Sequence, residues 1–403
     1  MGHGPEIHPA GLPLARADHA LSLRLDGLRP LPLRLRHAHR DRRGAPRHPR
    51  GAGRRAGLGR AARGRTGGRV VSRVFITGAN GFIGSNLCRW FLDRGWEVDG
   101  LVRESSDLHF LEGLDVRLVR GDLRFSDRID IPEGTSQIVH AASLVSDTAG
   151  DDACSRNIFD MTRDFLDRLR GTGLPLRRFV YISTALTLGF DGRDISEERP
   201  GRSAAFLPYV RHKIRTENEL RDRHATYGLP AVILRPGDVF GPRDRITCAR
   251  LLASCEEGLP LIGGRGEWRF GYCYVGNLCQ AVERALVKPG IEGRAYTVTN
   301  GVLPTWRDFF LAMQRGLGKR QRLYVPVFAA RAFAALTRAV EAVIPGYEAK
   351  LNPYRVRRAT TETTYDISRT VAELGYAPDD DHERQFAEIL AWYKKEKACG
   401  WLA

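Results

Sequence analysis

The chain has 403 residues, 42% of them apolar and 27% charged, with a formal net charge of +16. That length allows a large core or two domains, and the apolar share is ordinary for a globular protein. Residues 1–70 hold sixteen arginines, no lysine and four acids (Glu6, Asp18, Asp26, Asp41), which leaves only +4 on the 333 residues that follow; a near-neutral body behind a basic tail is not the pattern of a DNA-binding domain, and no nucleic-acid partner is expected.

Residues 1–70 read as arginine, glycine, alanine and proline without helical or strand periodicity. Such a segment cannot bury enough apolar area to offset its ordering entropy, so a disordered tail is expected. A basic arm for nucleic acid or acidic lipid, an organelle transit peptide, and a start site placed too far upstream are alternative readings of the same composition. A domain then begins near Val70 or Val71.

From residue 73 the pattern sharpens in "RVFITGANGFIGSNLCRWFLDRGWEVDGLVR". The spacing predicts a buried parallel strand over 74–77, a turn with Gly78, Gly81 and Gly84 at intervals of three, a helix over 85–94, and a second strand over 98–102. Glycine lets the backbone approach a pyrophosphate, and the helix N-terminus offers it unpaired N–H groups. Dinucleotide binding is therefore expected. Nineteen residues past Gly84, where an acid would favour NAD, stands Arg103, suited to the 2′-phosphate of NADP; NADP is the preferred cofactor and NAD the alternative. Asp99 and Asp107 are unconvincing substitutes for that acid.

Further strands are predicted over 116–123, with Asp122 placed to meet the adenine and Leu123 beside it, and over 136–145, with small Ala141 and Ala142 leaving room for the cofactor. Two more are expected over 177–184 and 230–237, with helical stretches between them. This alternation predicts an α/β, doubly wound parallel sheet of the Rossmann type, with ligands at the C-terminal strand edge.

The chain makes 56 of its 63 basic residues from arginine, yet its first lysine is Lys213, four residues after Tyr209 in "YVRHK". At that spacing the two share a helical face. A nearby cation is expected to stabilise a phenolate and lower the tyrosine's ordinary value of about 10.

With these pieces in order, the chain resembles the extended short-chain dehydrogenase/reductase superfamily. The motifs are "TGANGFIG" (77–84), "GD" (121–122), "YISTALTLG" (181–189), "YVRHK" (209–213), "LRPGDVFGPRD" (234–244), "YCYVGN" (272–277) and "YDISRTVAELGYAP" (365–378). The resemblance implies cofactor contacts from Asn80, Phe82 and Ile83 within the glycine turn, and from Pro236 alongside the nicotinamide. It implies Tyr209 as general acid/base, Lys213 holding the nicotinamide ribose, and Thr184, with Ser183 as second choice, bonding the substrate oxygen. Asn157 in "RNIFDMT" matches the family's N-x-x-G-T only with a one-residue shift and no glycine. Residues 71–240 would form the NAD(P)-binding domain, and 241–403 a smaller substrate-binding domain with segments returning to the first.

Departures from the sugar-nucleotide members favour a simple oxidoreductase over an epimerase or dehydratase. "TLG" stands at 187–189 in place of V-Y-G, Ala185 and Leu186 follow Thr184 where a dehydratase needs acids, and Tyr274–Asn277 reads Y-V-G-N. A non-catalytic dinucleotide-binding protein is the third reading. The partner expected is a small-molecule substrate, and a homodimer is compatible with the family. Arg243, Asp244 and Arg245 read as a solvated loop, with contact to a substrate phosphate as the alternative. His140 and His212 read as packing or helix-surface residues, and Trp268 and Tyr272 as core aromatics.

Seven cysteines (88, 154, 248, 255, 273, 279, 399), without a C-x-x-C pair or zinc spacing, read as reduced thiols of a cytoplasmic protein with no metal site. No stretch has the apolarity of a membrane span. The segment 325–345 carries Arg331, Arg338 and Glu341 on one helical face and reads as an amphipathic helix packed on its own domain, with a lid or a membrane-surface contact as the alternative.

Overall fold

The computed structural model describes residues 72–258, 264–320, 325–343 and 352–402. The expectations for residues 1–70 lie outside them. In chain order the elements are β1 (Arg73–Thr77), α1 (Phe82–Leu92), β2 (Glu97–Val102), β3 (Val116–Arg120), β4 (Gln137–His140), α2 (Asp151–Cys154), α3 (Met161–Thr172), β5 (Arg178–Ile182) and β6 (Gly192–Ile195). Then come α4 (Pro208–Tyr227), β7 (Ala231–Pro236), β8 (Asp238–Phe240), α5 (Cys248–Glu256), β9 (Tyr272–Tyr274), α6 (Val275–Val287) and β10 (Ala295–Val298). The last elements are α7 (Trp306–Gly316), α8 (Val327–Val343), α9 (Pro353–Ala359), β11 (Thr363–Tyr365), α10 (Ser368–Leu374) and α11 (His382–Ala398).

Seven strands form one sheet in the order β10-β7-β5-β4-β1-β2-β3, and every pairing is parallel. The strand order reverses between β1 and β4, and such a switch point opens a crevice at the strands' C-terminal ends. Alternation along β1 shows why both faces are covered. Val74 and Ile76 join one buried cluster with Leu87 and Phe91 of α1 and Val282 of α6. Phe75 joins the opposite cluster with Phe165 of α3, Phe179 and Tyr181 of β5, and Leu220 of α4. A third cluster gathers Phe240, Phe270, Tyr272, Phe309, Phe386 and Trp392 from the C-terminal half. β10 lies beyond residue 241 yet pairs with β7 in the main sheet.

Two predicted strands stop early, each for a local reason. β3 ends at Arg120 because the Asp122 carboxylate accepts the Arg124 N–H at 2.9 Å and starts a 3-10 turn. β4 ends at His140, where the Ala142 N–H leaves the ladder for the Thr77 hydroxyl, 3.2 Å away. Between α2 and α3, Ser155–Asp160 forms a π-helical segment, a geometry that often marks functional sites.

The segment 325–345 is helical through α8, but its large apolar side chains do not face the core. Ala330, Ala334 and Thr337 are buried, whereas Phe328, Phe333 and Leu336 are exposed along with Arg331 and Arg338. Among the described residues, no helix is long and apolar enough to cross a membrane.

Candidate active site

The glycine turn follows β1 directly. Gly78 adopts a φ of +68°, and a Cβ there would stand 2.9 Å from the Cα of Ala142 across the switch point. A Cβ on Gly84 would meet the Gly78 carbonyl oxygen at 2.1 Å, so only glycine lets α1 enter this close to β1. Gly81 caps α1 without any side-chain hydrogen bond, whereas Thr305, Asn352 and Asp381 cap α7, α9 and α11 with theirs. The first N–H groups of α1, from Phe82 and Ile83, are therefore open to an anion, as a dinucleotide pyrophosphate requires. Asn80 closes the turn by donating to the Asp107 carbonyl at 3.1 Å.

Arg103 lies just past β2. Its N–H donates to Ser106 Oγ at 3.0 Å, and its guanidinium makes no hydrogen bond or ion pair among the described residues. Asp122 is engaged by Arg124 at 2.6 Å, which holds its carboxyl below the ordinary range. Leu123 is core, packed with Phe75 and Leu101, so only its main chain can face a ligand. Neither alternative acid suits a ribose: Asp99 is buried within β2 on Arg117, and Asp107 caps the His109 N–H.

Thr184, Tyr209 and Lys213 meet at the C-terminal end of β5. Thr184 leaves the strand extended and starts the 3-10 turn Ala185–Leu188, its hydroxyl accepting the Leu186 N–H at 3.3 Å. Pro208 at the first position of α4 fixes the helix start, so Tyr209 sits in the first turn and Lys213 one turn on. Lys213 is 2% exposed, donates to the Ile182 carbonyl at 2.7 Å, and lies 4.6 Å from the Tyr181 ring centroid and 5.9 Å from that of Tyr209. Ser183 is drawn away from this group, donating to the buried Glu217 at 2.6 Å, which leaves Thr184 as the hydroxyl beside the phenol.

The electrostatic expectation is reversed. Burial pushes the Tyr209 phenol above its ordinary value, Tyr354 and Cys154 push the same way, and only the neighbouring Thr184 hydroxyl opposes them. Lys213 is itself driven down to about 7, by burial first, with the Glu217 carboxylate opposing. The reason is lost hydration: each group is removed from water, and the ammonium bonds a carbonyl rather than the phenol.

Other expected residues divide clearly. His140 is structural: it bridges Thr77 (3.1 Å) and Thr162 (3.0 Å), and burial holds its imidazole down to about 3. His212 joins α4 to Asp151 at 3.2 Å. Tyr272 is core. Asn157 lies in the π segment and turns back on its own helix, donating to the Ala153 carbonyl at 2.8 Å. In the loop after Phe240, Arg245 is exposed as expected, but Arg243 and Asp244 are not solvated. Asp244 is buried and accepts the N–H groups of Ile246, Thr247 and Cys248 at 2.9–3.1 Å, and Arg243 reaches back to Asn86 of α1. Arg243 also lines a groove of about 420 Å³ between α1, α6 and α11, which holds none of the expected site residues.

Two groups escaped the sequence reading. Glu217 and Arg235 form a buried pair behind the Thr184, Tyr209 and Lys213 cluster, and Arg235 is visible as a lone charge within "AVILRP". Tyr354 of α9 packs on the same small cluster as Tyr209, meeting Phe190 and Phe206 edge to face. Around it, Arg355 and Arg357 pair with Asp147 and Asp191 on loops, and Arg358 pairs with Asp238 at the start of β8.

A seven-stranded parallel sheet with a glycine turn at its switch point defines a Rossmann-type nucleotide-binding fold. The sequence pattern of the NAD-dependent epimerase/dehydratase family matches residues 74–299, and the chain belongs to that family, within the extended short-chain dehydrogenases/reductases. It is an enzyme of the NAD-dependent oxidoreductase/epimerase kind. Sterol demethylase protein B of Methylococcus capsulatus is 29% identical over 338 residues, covering 80% of this chain and 98% of that protein. A 4-hydroxy-2-methyl-3-oxo-4-farnesyl-3,4-dihydroquinoline-1-oxide ketoreductase of Stigmatella aurantiaca is 26% identical, covering 77% and 94%. The fold is shared with the UDP-glucuronic acid 4-epimerase of Bacillus cereus, solved with UDP-glucuronic acid and NAD, at a TM-score of 0.60 and 21% identity over 80% of this chain and 99% of that one.

Proposed function

We propose that the protein is an NAD(P)-dependent oxidoreductase that interconverts a secondary alcohol and a ketone, with Tyr209 as the general acid/base. The observation that carries this reading is the convergence of Thr184, Tyr209 and Lys213 at the end of β5, beside the switch point. The nicotinamide, when bound, supplies or accepts the hydride. Thr184 orients the substrate oxygen, Tyr209 gives a proton to a carbonyl oxygen or takes one from a carbinol, and Lys213 holds the cofactor ribose. A phenol kept protonated by burial is suited to the donating role. Gly78, Gly81, Gly84, Ala141, Ala142 and Pro236 line the cofactor's path, with 71–240 as its domain and 241–403 supplying the substrate side.

The epimerase or dehydratase alternative is less well supported. The 3-10 turn after Thr184 offers Ala185 and Leu186 rather than acids. The arginines of α9, which could take a nucleotide phosphate, are already neutralised by aspartates. The named activities of the relatives in Methylococcus and Stigmatella also lie on sterols and a ketone rather than on sugar nucleotides. Replacing Tyr209 by Phe deletes the proton and keeps the ring. Absorbance at 340 nm with a panel of alcohols and ketones is expected to show a loss of at least about 100-fold; activity retained within about tenfold removes Tyr209 from the role.

The free guanidinium of Arg103 supports NADP over NAD. Arg103→Ala is expected to weaken NADP binding about tenfold or more and leave NAD binding unchanged; an equal loss for both, or tighter NAD binding by the native chain, overturns the preference. Six buried free thiols are in keeping with a cytoplasmic setting, and the exposed Phe328, Phe333 and Leu336 of α8, beside Arg331 and Arg338, with contact at a membrane surface. A homodimer belongs to the same reading through the family alone.

A further inference from the structure

Behind the Tyr209 cluster runs a chain of charges, buried at Glu217 and Arg235 and open to solvent at Glu197 and Arg221. Ser183 Oγ donates to Glu217 Oε1 at 2.6 Å. Arg235 donates through Nε to both Glu217 oxygens at 3.1 Å and through Nη2 to Oε2 at 2.6 Å. Its other arm, Nη1, reaches Glu197 at 2.6 Å, and Arg221 approaches Glu217 at 3.3 Å. Each inner member adjoins an expected site residue: Ser183 precedes Thr184, Arg235 precedes Pro236, and Glu217 stands one helical turn beyond Lys213.

The anchoring is shared. Lys213 grips the carbonyl of Ile182 and Glu217 the hydroxyl of Ser183, so α4 holds two consecutive residues at the end of β5. Lys213 makes no ion pair among the described residues. A buried ammonium without a counter-charge loses its proton rather than remain charged. The groups around it are Tyr181 of β5, His140 of β4, Tyr209 and Glu217 of α4, and Arg235 of β7. His140 is neutral at pH 7, the two tyrosines are protonated, and Arg235 is balanced by Glu217 and Glu197. Glu217 is the anion within this set that acts on the lysine.

We infer that Glu217 is a positioning residue for the candidate pair Tyr209 and Lys213: held by Ser183 and Arg235 one helical turn from Lys213, it supplies the negative charge that favours the protonated form of Lys213 beneath Tyr209. The importance of that ammonium rests on the proposed oxidoreductase reading, but the charge itself can be measured without substrate. The full chain contains only seven lysines. With ¹³C,¹⁵N-labelled lysine, each Cε–Nζ resonance can be titrated by NMR in the resting protein, and the signal lost in Lys213→Arg assigns Lys213. In Glu217→Gln the Lys213 midpoint is expected to fall by about one pH unit or more, a tenfold loss of proton affinity, while the other lysines stay in place. Glu217→Asp, which retains the charge, is expected to restore most of it. A Lys213 midpoint unchanged in Glu217→Gln, or lowered equally by Gln and Asp, overturns the inference. Should Glu217→Gln fail to fold, Glu197→Gln at the outer end of the chain still removes one of the two anions balancing Arg235. Lys213 must then titrate lower by a fraction of a unit, and an unmoved midpoint overturns the inference equally. Failure of the Tyr209→Phe test with this titration intact would instead leave the charge relation standing and remove the reaction.

Discussion

Two sets of arginine–carboxylate pairs flank the Tyr209 cluster, and they share chemistry while differing in environment. Behind it, Arg235 and Glu217 have side chains 6% and 2% exposed, and every hydrogen bond between them lies inside the protein. Around α9, Arg357 and Asp191 are 39% and 24% exposed, and Arg355 and Asp147 are comparably open. The first pair was removed from water to be made, so its members depend on each other for solvation. The pairs of Arg355 and Arg357 remain partly hydrated and gain little from each contact, whereas Arg358, 11% exposed, is more enclosed on Asp238. What α9 gains is placement, because pairs to two loops and to the start of β8 fix the short helix whose Tyr354 packs on the same cluster as Tyr209. Burial, rather than charge, decides which network sets ionisation and which one docks an element.

The comparison is most exposed to a test at Arg235. Arg235→Ala leaves the Glu217 carboxylate buried, with the Ser183 hydroxyl and the more distant Arg221 as its remaining partners. Breaking a buried pair from one side costs about 3–5 kcal/mol, so urea unfolding should show a loss of that size. Replacing both partners by apolar residues of similar volume, Arg235→Met with Glu217→Leu, should recover most of the loss, since the desolvation cost disappears with the charges. A loss below about 1 kcal/mol in Arg235→Ala would place this pair with the exposed set and erase the distinction.

How much of this was legible in the sequence follows the same division. The glycine turn, the strand alternation and the Tyr209–Lys213 spacing depend on contacts between near neighbours, and the residues alone indicated them. The ends of β3 and β4 were overextended because Asp122 and Thr77 take N–H groups that the ladder would otherwise use. The direction of the Tyr209 shift was misjudged because an ammonium one turn away is a local fact, whereas the burial that outweighs it is made by the whole sheet. Arg243 was taken for a solvated loop because its partner, Asn86, lies 157 residues back in the chain. The α9 pairs were invisible for the same reason: Arg355 meets Asp147 across 208 residues and Arg358 meets Asp238 across 120.

The smallest effect expected is at Arg357. Its guanidinium pairs with Asp191, a non-glycine residue held at a φ of +62°. Arg357→Ala leaves Asp191 able to hydrate, and the pairs from Arg355 and Arg358 keep α9 in place. The loss in unfolding free energy should therefore stay below about 1 kcal/mol. It should shrink further between 0.1 M and 1 M salt, where the screening length falls from about 10 Å to about 3 Å. Arg235→Ala should keep its deficit over the same salt range, because ions do not reach a buried pair. A salt-insensitive loss of several kcal/mol in Arg357→Ala would mean that the Asp191 carboxylate depends on its partner as Glu217 does, and the contrast between the two networks would have to rest on something other than water.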